Sequence, residues 1–283
     1  MCRELRGTQG MASKAKNCSL GVSGGYVTDI TRHPYEVMIQ GSYYVLINVH
    51  CTGSIIAPHY VITTAMCANQ ARSWSSRVRA GTNKKQQGGS LHRIQQVNIH
   101  EDWNGNILNN IALIRVREPF LYDKTRQRIR LSEPNNHFEY DDSIATVSGW
   151  GKSYSLQAIN VTIVDDENMC SQLFPFGFLK DRDLCALNID RDEIHDFKVG
   201  PCYGDSGAPL VVAERLIGIF SHTYPTCGID DPQAYIGVAY YRDWINHRVE
   251  YSITDLDYEE DDDSILIISL RLFTCAAFHR LLW

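Results

Sequence analysis

Cys202-Tyr203-Gly204-Asp205-Ser206-Gly207-Ala208-Pro209-Leu210 is the stretch on which the reading of this chain turns. Glycines on both sides of Ser206 let the backbone bend tightly and present the hydroxyl. The amides of Gly204 and Ser206 can then point at one spot, as an oxyanion hole requires. The spacing is GDSG and the flanking segments read as strands, which excludes the GxSxG elbow of an α/β-hydrolase. Taken alone, the same nine residues also describe an ordinary glycine turn.

The surroundings are β throughout. Residues 42–65 read as strands, SYYVLINV, then GSII, then YVITTA, rich in β-branched and aromatic residues and cut by Pro58. Further short runs follow: SRVRAG, HRIQQVNI, NIALIRV, SIATVSGW, APLVVA, RLIGIFS and AYIGVAY. Helical spacing emerges at the end, where YYRDWINHRVEY sets Tyr240, Trp244, Ile245 and Val249 near one face. Many short strands and one terminal helix predict an all-β barrel or sandwich. The chain has no internal repeat and no GxxxxGK[ST] phosphate loop.

Composition narrows the class. With 283 residues, 44% hydrophobic and 21% charged, the chain can bury a sizeable core, which excludes wholesale disorder, collagen and long coiled coil. A net charge of −6 argues against a general nucleic-acid binder. That charge is uneven: residues 251–263 (YSITDLDYEEDDD) carry −7, and the remaining residues together +1. Nine cysteines point to disulfides and a secretory route, with at least one Cys lacking an intrachain partner. Yet MCRELRGTQGMASKAKNCSL lacks the apolar run of roughly 7–15 residues that a secretory leader needs.

In chain order, Val22-Ser23-Gly24-Gly25, Cys51-Thr52-Gly53-Ser54-Ile55-Ile56, Thr63-Thr64-Ala65-Met66-Cys67, Asn110-Ile111-Ala112-Leu113, Gly149-Trp150-Gly151 and the GDSGAPL element resemble the chymotrypsin-like (trypsin-like) serine proteases. The resemblance covers roughly residues 22–250. It implies an all-β fold of two packed six-stranded antiparallel barrels with a C-terminal helix and the site in the cleft between the barrels. It also implies three disulfides, Cys51–Cys67, Cys170–Cys185 and Cys202–Cys227. Ala145 and Val212 stand where a further family pair often sits. Cys2, Cys18 and Cys275 are left over, all outside the domain.

The departures from the family pattern decide the expected function. Ser206 keeps the nucleophile position, but the residue before the second Cys of the first pair, the family's catalytic His, is Met66. A thioether cannot take a proton from a serine hydroxyl at neutral pH. The family's Asp is Asn110. In this mechanism Asp→Asn alone lowers turnover by about 10⁴, and losing the base costs about 10⁶. The pocket floor falls on Gly200 where Asp selects basic side chains, and the two small lining positions become Thr223 and Gln233. A glutamine there should fill space meant for a substrate side chain. His222, where Trp is usual, is expected to be a wall residue rather than a substitute base. The activation pair would be Val22 and Asp205, but Val22 follows Gly21, so a trypsin-like activator finds no Arg or Lys to cut after.

Other features carry less. Asn17-Cys18-Ser19 and Asn160-Val161-Thr162 fit the N-glycosylation sequon. Asp190–Asp196 lacks the DxDxDG order of a calcium loop, and none of the ten histidines falls in HExxH spacing. No metal and no cofactor is expected. Residues 264–283 are apolar but contain Arg271, His279 and Arg280. A central Arg costs roughly 2.5–3.5 kcal/mol on membrane-insertion scales.

The expected organisation is an N-terminal, pro-like segment 1–21, a trypsin-like domain 22–250, and an acidic linker with apolar tail, 251–283. The expected function is that of a catalytically inactive serine protease homologue, of the kind found among invertebrates. It would be extracellular and monomeric, and would act as cofactor, decoy or regulator by binding proteases, inhibitors or substrates of a proteolytic cascade. The N-terminus is expected to be incomplete. Two other readings stand beside it: an endopeptidase with atypical or residual activity through Ser206, and a tail-anchored cell-surface binding module.

Overall fold

A computed structural model describes residues 22, 25–43, 47–72, 74–134, 140–151, 153–164, 170–171, 181–188, 200–201, 204–222 and 232–249. Two six-stranded antiparallel barrels make up the molecule. The first joins β2 (Glu36–Tyr43), β3 (Ile47–Ala57), β4 (Tyr60–Thr63), β5 (Arg77–Ala80), β6 (Ser90–Ile99) and β7 (Ala112–Val116), closed in the order β2-β3-β4-β7-β6-β5. The second comprises β9 (Ile144–Gly149), β10 (Gln157–Ile163), β11 (Asp183–Asn188), β12 (Pro209–Val212), β13 (Arg215–His222) and β14 (Gln233–Gly237). It runs β10-β11-β14-β13-β12-β9, and β9 pairs back onto β10. Two short strands attach to it: β1 (Tyr26–Val27) on β10, and β8 (Arg130–Leu131) parallel to the start of β13. Helix α1 (Ala65–Gln70) follows β4, and α2 (Arg242–Asn246) closes the described chain.

Strand alternation builds the core. Val61 pairs with Ile114 and Ile62 with Leu113. Successive side chains point to opposite faces of a strand. Val61 and Ile114 therefore fill the first barrel, while Ile62 and Leu113 face the seam between barrels. The second barrel repeats the device: Phe220 and Tyr235 point inward, and Ile219 and Ile236 turn to the seam. Each such buried side chain stabilises by roughly 1.5–3 kcal/mol.

The strand expectations held where apolar character was dense. SYYVLINV, read as one strand, instead spans the end of β2 and the start of β3. β10 and β11 were not anticipated, since Gln157, Asn160, Thr162, Asp183 and Asn188 dilute their apolar character. The terminal helix is shorter than its spacing suggested. A 3-10 turn, Ala239–Tyr241, precedes it, and Tyr240 is exposed while Tyr241 is buried.

Cys51–Cys67 joins β3 to α1, and Cys170–Cys185 ties the chain before β11 to that strand. Cys202 and Cys227 lie outside the described residues, as do segments 1–21 and 251–283. Ala145 and Val212 pack in one apolar cluster of the second barrel.

The barrels meet most closely at Gly207. A Cβ there would lie 1.9 Å from the carbonyl oxygen of Thr52 and 2.4 Å from Thr63 Oγ1, and φ is +88°. Gly207→Ala should cost about 2–6 kcal/mol, from backbone strain together with overpacking. Gly105→Ala is the control, because its φ is +95° but nothing lies within 4 Å of its Cβ. Denaturant titration with disulfides intact should separate the two variants widely; similar losses in both would mean that the barrel contact carries no weight.

Candidate functional site

Ser206 sits in the tight loop that leads into β12. Gly204 takes φ +98° and Gly207 +88°, conformations that glycine supplies without a Cβ penalty. The loop is anchored on both sides. The Thr52 amide donates to the Ser206 carbonyl at 2.9 Å, and the Gly207 amide to the Phe220 carbonyl at 2.9 Å. A Cβ on Gly204 would stand 3.0 Å from the Gly151 carbonyl. That carbonyl accepts from the Lys85 ammonium, and the Asn83 carbonyl accepts from Trp150 Nε1 at 2.9 Å. The 83–85 segment of the first barrel thus braces the Gly204–Ser206 turn through residues 150–151.

Facing Ser206 is the N-terminus of α1. Thr64 caps it, accepting the Cys67 amide at 3.3 Å, and the Thr64 hydroxyl lies 3.2 Å from Ser206 Oγ. Two hydroxyls hold each other where a base should be; either can donate. Met66, at the predicted base position, is 36% exposed. Among the described residues, no imidazole or carboxylate is hydrogen-bonded to Ser206 Oγ.

Asn110 is 3% exposed and fully engaged. Its Oδ1 accepts the Met66 amide at 2.9 Å, and its Nδ2 donates to Ser221 Oγ at 3.0 Å. It therefore links α1 of the first barrel to β13 of the second. The structure brings Ser206, Met66 and Asn110 together through α1, Thr64 and Ser221. Thr64 and Ser221 were quoted in the sequence as neighbours of other residues and not as participants. The signal for Thr64 was a cap-forming hydroxyl one residue before the α1 run.

The pocket residues are less complete. Gly200 is buried. Gln233, the first residue of β14, is 4% exposed, and its Oε1 accepts the Tyr235 hydroxyl at 3.0 Å. Burial pushes the Tyr235 phenol well above its usual range, aided by the nearby Asp205 carboxyl, so it stays a neutral donor. Thr223 and the His222 side chain lie outside the described part, as does Asn17. Asn160 is exposed on β10 and accepts from Thr146 Oγ1 at 3.3 Å.

Val22 and Asp205 are both fully buried and both approach Gly149 on the side where a Cβ would stand. A Cβ on Gly149 would lie 2.4 Å from Asp205 Oδ1 and 3.6 Å from Val22 Cγ2. Glu36, also fully buried, is close by and was not anticipated. Burial pushes its carboxyl well above the ordinary range, the Ser148 hydroxyl opposes this, and Asp205 adds to it. Among the described residues no group of three or more His, Cys, Asp or Glu could hold a metal, and no helix is long and apolar enough to cross a membrane.

Comparison with known proteins agrees with this geometry. The trypsin family profile matches residues 22–245. Trypsin epsilon of Drosophila erecta is 32% identical over 236 residues, 79% of this chain and 86% of that protein. A trypsin of Simulium vittatum is 34% identical over 213 residues, 71% and 81% of the two chains. Among solved structures, HL collagenase superposes with a TM-score of 0.71 at 28% identity, covering 81% of this chain and 99% of that one. The scabies mite inactivated protease paralogue S-D1 gives 0.66 at 25%, with the same coverage.

Glu36 makes stability pH-dependent. Its folded pKa lies above the unfolded value of 4.5, so its favourable protonated state is intact below about pH 4.5. It is lost as pH rises through the folded pKa. Glu36→Gln should therefore match the native chain near pH 4.5 and show a progressively higher Tm than the native chain as pH rises above it. A Tm gap that does not change with pH would exclude this role.

Proposed function

The chain belongs to the trypsin family, and we propose that within this family it acts by binding rather than by cleavage. The observation that carries the reading is Met66 in the position of the general base. The remaining site supports it. Asn110 is committed to Ser221 and the Met66 amide, so no carboxylate stands ready to orient an imidazole. Ser206 is held by a threonine hydroxyl that cannot act as a base at neutral pH. Gln233, at an expected pocket position, is buried and bonded to Tyr235, which supports a pocket filled by the glutamine rather than by a substrate side chain. The similarity to a mite protein described as an inactivated protease paralogue points the same way.

Residues 22–250 would then form a binding domain, with 251–283 as its tail. In this reading the protein is secreted and recognises protein partners, namely proteases, inhibitors or substrates of an extracellular cascade. Its cleft and surrounding loops would serve as cofactor, decoy or regulator.

A fluorophosphonate probe tests this directly, since it reacts with an activated serine. The native chain should label no more than Ser206→Ala; strong Ser206-dependent labelling would establish the peptidase reading. Met66→His with Asn110→Asp should restore labelling but leave little peptide cleavage until Gln233→Gly opens the pocket. Full cleavage by the double variant alone would show that the pocket was never blocked. Detergent-phase partitioning of the full chain should leave it in the aqueous phase, and retention with detergent would favour the anchored module.

A further inference from the structure

The small net charge conceals a strong polarity. Residues 71–130 of the first barrel contain twelve Lys and Arg against four Asp and Glu, a balance of +8, whereas residues 251–263 carry −7. Part of the positive charge is gathered on one face. Along β5, Arg77 and Arg79 alternate with the buried Val78 and Ala80. The register sets Arg77 directly opposite Arg93 on β6. Like charges opposed across a sheet are destabilising. Glu118 pairs with Arg93, while Arg77 donates to the carbonyls of Trp74 and Ser76 at 2.9 and 2.8 Å, and Arg79 to that of Gly88. Neutral carbonyls do not cancel the charge, so the face stays cationic.

Beside it lies a groove of about 360 Å³, lined by Ala71, Arg72, Trp74, Ile94, Gln96 and Val97. Trp74 is 91% exposed and Leu91 51%. A cationic face beside a groove whose wall mixes Ala71, Trp74, Ile94 and Val97 with Arg72, Gln95 and Gln96 fits an acidic peptide that also carries aromatic and aliphatic side chains.

Such a segment follows α2 in this chain. Helix α2 rests against the end of β6: Trp244 stacks on His100 at 5.2 Å, its Nε1 donates to Glu101 at 2.9 Å, and Arg248 pairs with Glu101. The chain therefore leaves the described fold a few residues beyond the groove. At about 3.3 Å per residue, Arg93 is on the order of 20 Å away along β6, and 13 extended residues reach about 40 Å. Residues 251–263 interleave Tyr251, Ile253, Leu256 and Tyr258 with seven acidic residues.

We propose that residues 251–263 dock in cis on the β5–β6 face, with carboxylates over Arg77, Arg79 and Arg93 and apolar side chains in the Trp74 groove. This surface is separate from the cleft and is independent of whether Ser206 is active. The tail is then the resident occupant of an anion-binding site, one that an acidic partner segment would have to displace.

The test uses full-length chains and a labelled synthetic peptide of residues 251–263, followed by fluorescence anisotropy. A tethered segment has an effective concentration in the millimolar range. For a peptide with a Kd of about 0.1 mM, the native tail would weaken binding about tenfold. A chain with its tail neutralised, Asp→Asn and Glu→Gln at 255, 257 and 259–263, should bind the peptide at least about tenfold more tightly than the native chain. Adding Arg77→Glu and Arg93→Glu to the neutralised chain should abolish that binding. Equal binding by native and neutralised chains, or binding that survives the charge reversal, overturns the proposal. A gentler variant covers misfolding: Arg77→Lys in the native chain supplies an amine for carbodiimide coupling. The new cross-link should map to 251–263 within one chain, independent of protein concentration. Coupling only to other carboxylates, or only between chains, also overturns it.

Discussion

The two barrels touch through main chain at a point that a methyl group could not share. Gly207 places its Cα where a Cβ would run into the Thr52 carbonyl, and the adjacent Ser206 carbonyl takes the Thr52 amide. On its other side the Gly207 amide is bonded to Phe220. One residue is thereby fixed to both barrels at once. Everything in the cleft inherits its position from this contact: Ser206 stands over the cap of α1, Thr64 meets its hydroxyl, and β13 carries Ser221 toward Asn110. The glycines of GDSG are thus required by packing as much as by any chemistry at Ser206.

That contact asks nothing of the side chain at position 66. Asn110 retains the acceptor that the Met66 amide needs, and it turns the other half of a carboxylate into a donor toward Ser221. A hydroxyl accepts as readily as it donates, so the exchange keeps both bonds. It also removes a problem. A carboxylate 3% exposed with no imidazolium beside it would be an uncompensated buried charge. Met66 and Asn110 are therefore a consistent pair: with an uncharged thioether at 66, the neutral amide is the better buried strut. Gln233 with Tyr235 follows the same logic, a neutral buried pair that satisfies each other's polar atoms.

Local patterns made much of this readable in advance. GDSG, TTAMC and the other ordered motifs carry a resemblance to the trypsin-like proteases, and that resemblance implies the double barrel and the Cys51–Cys67 and Cys170–Cys185 pairs. Contacts set by register between distant strands could not. The Thr64–Ser206 bond joins residues 142 apart, the Asn110–Ser221 bond 111 apart, and neither side chain signals the other. The same holds for Arg77 opposite Arg93, which depends on how β5 and β6 align. Glu36 reads in sequence as an ordinary polar residue at a strand start, and only the closed fold buries it near Asp205. Strands β10 and β11 were hidden because Gln157, Asn160 and Thr162 in one and Asp183 and Asn188 in the other interrupt the apolar run that marks a strand.

Charge is where the sequence-level sum misleads most. A value of +1 for everything outside 251–263 describes a nearly neutral body, yet +8 of it belongs to residues 71–130. Residues 131–250, which include the second barrel, carry the balancing −11, while residues 1–70 and 264–283 each add +2. Fields between such blocks are screened within about 8–10 Å at physiological salt, so a residue responds to its own neighbourhood and not to the total. At the β5–β6 face that neighbourhood is three arginines, one paired glutamate and an exposed indole. The buried cores of the two barrels do not depend on the charges of this cationic face. Surface charge can therefore separate into blocks of opposite sign while the barrels that carry it stay the same.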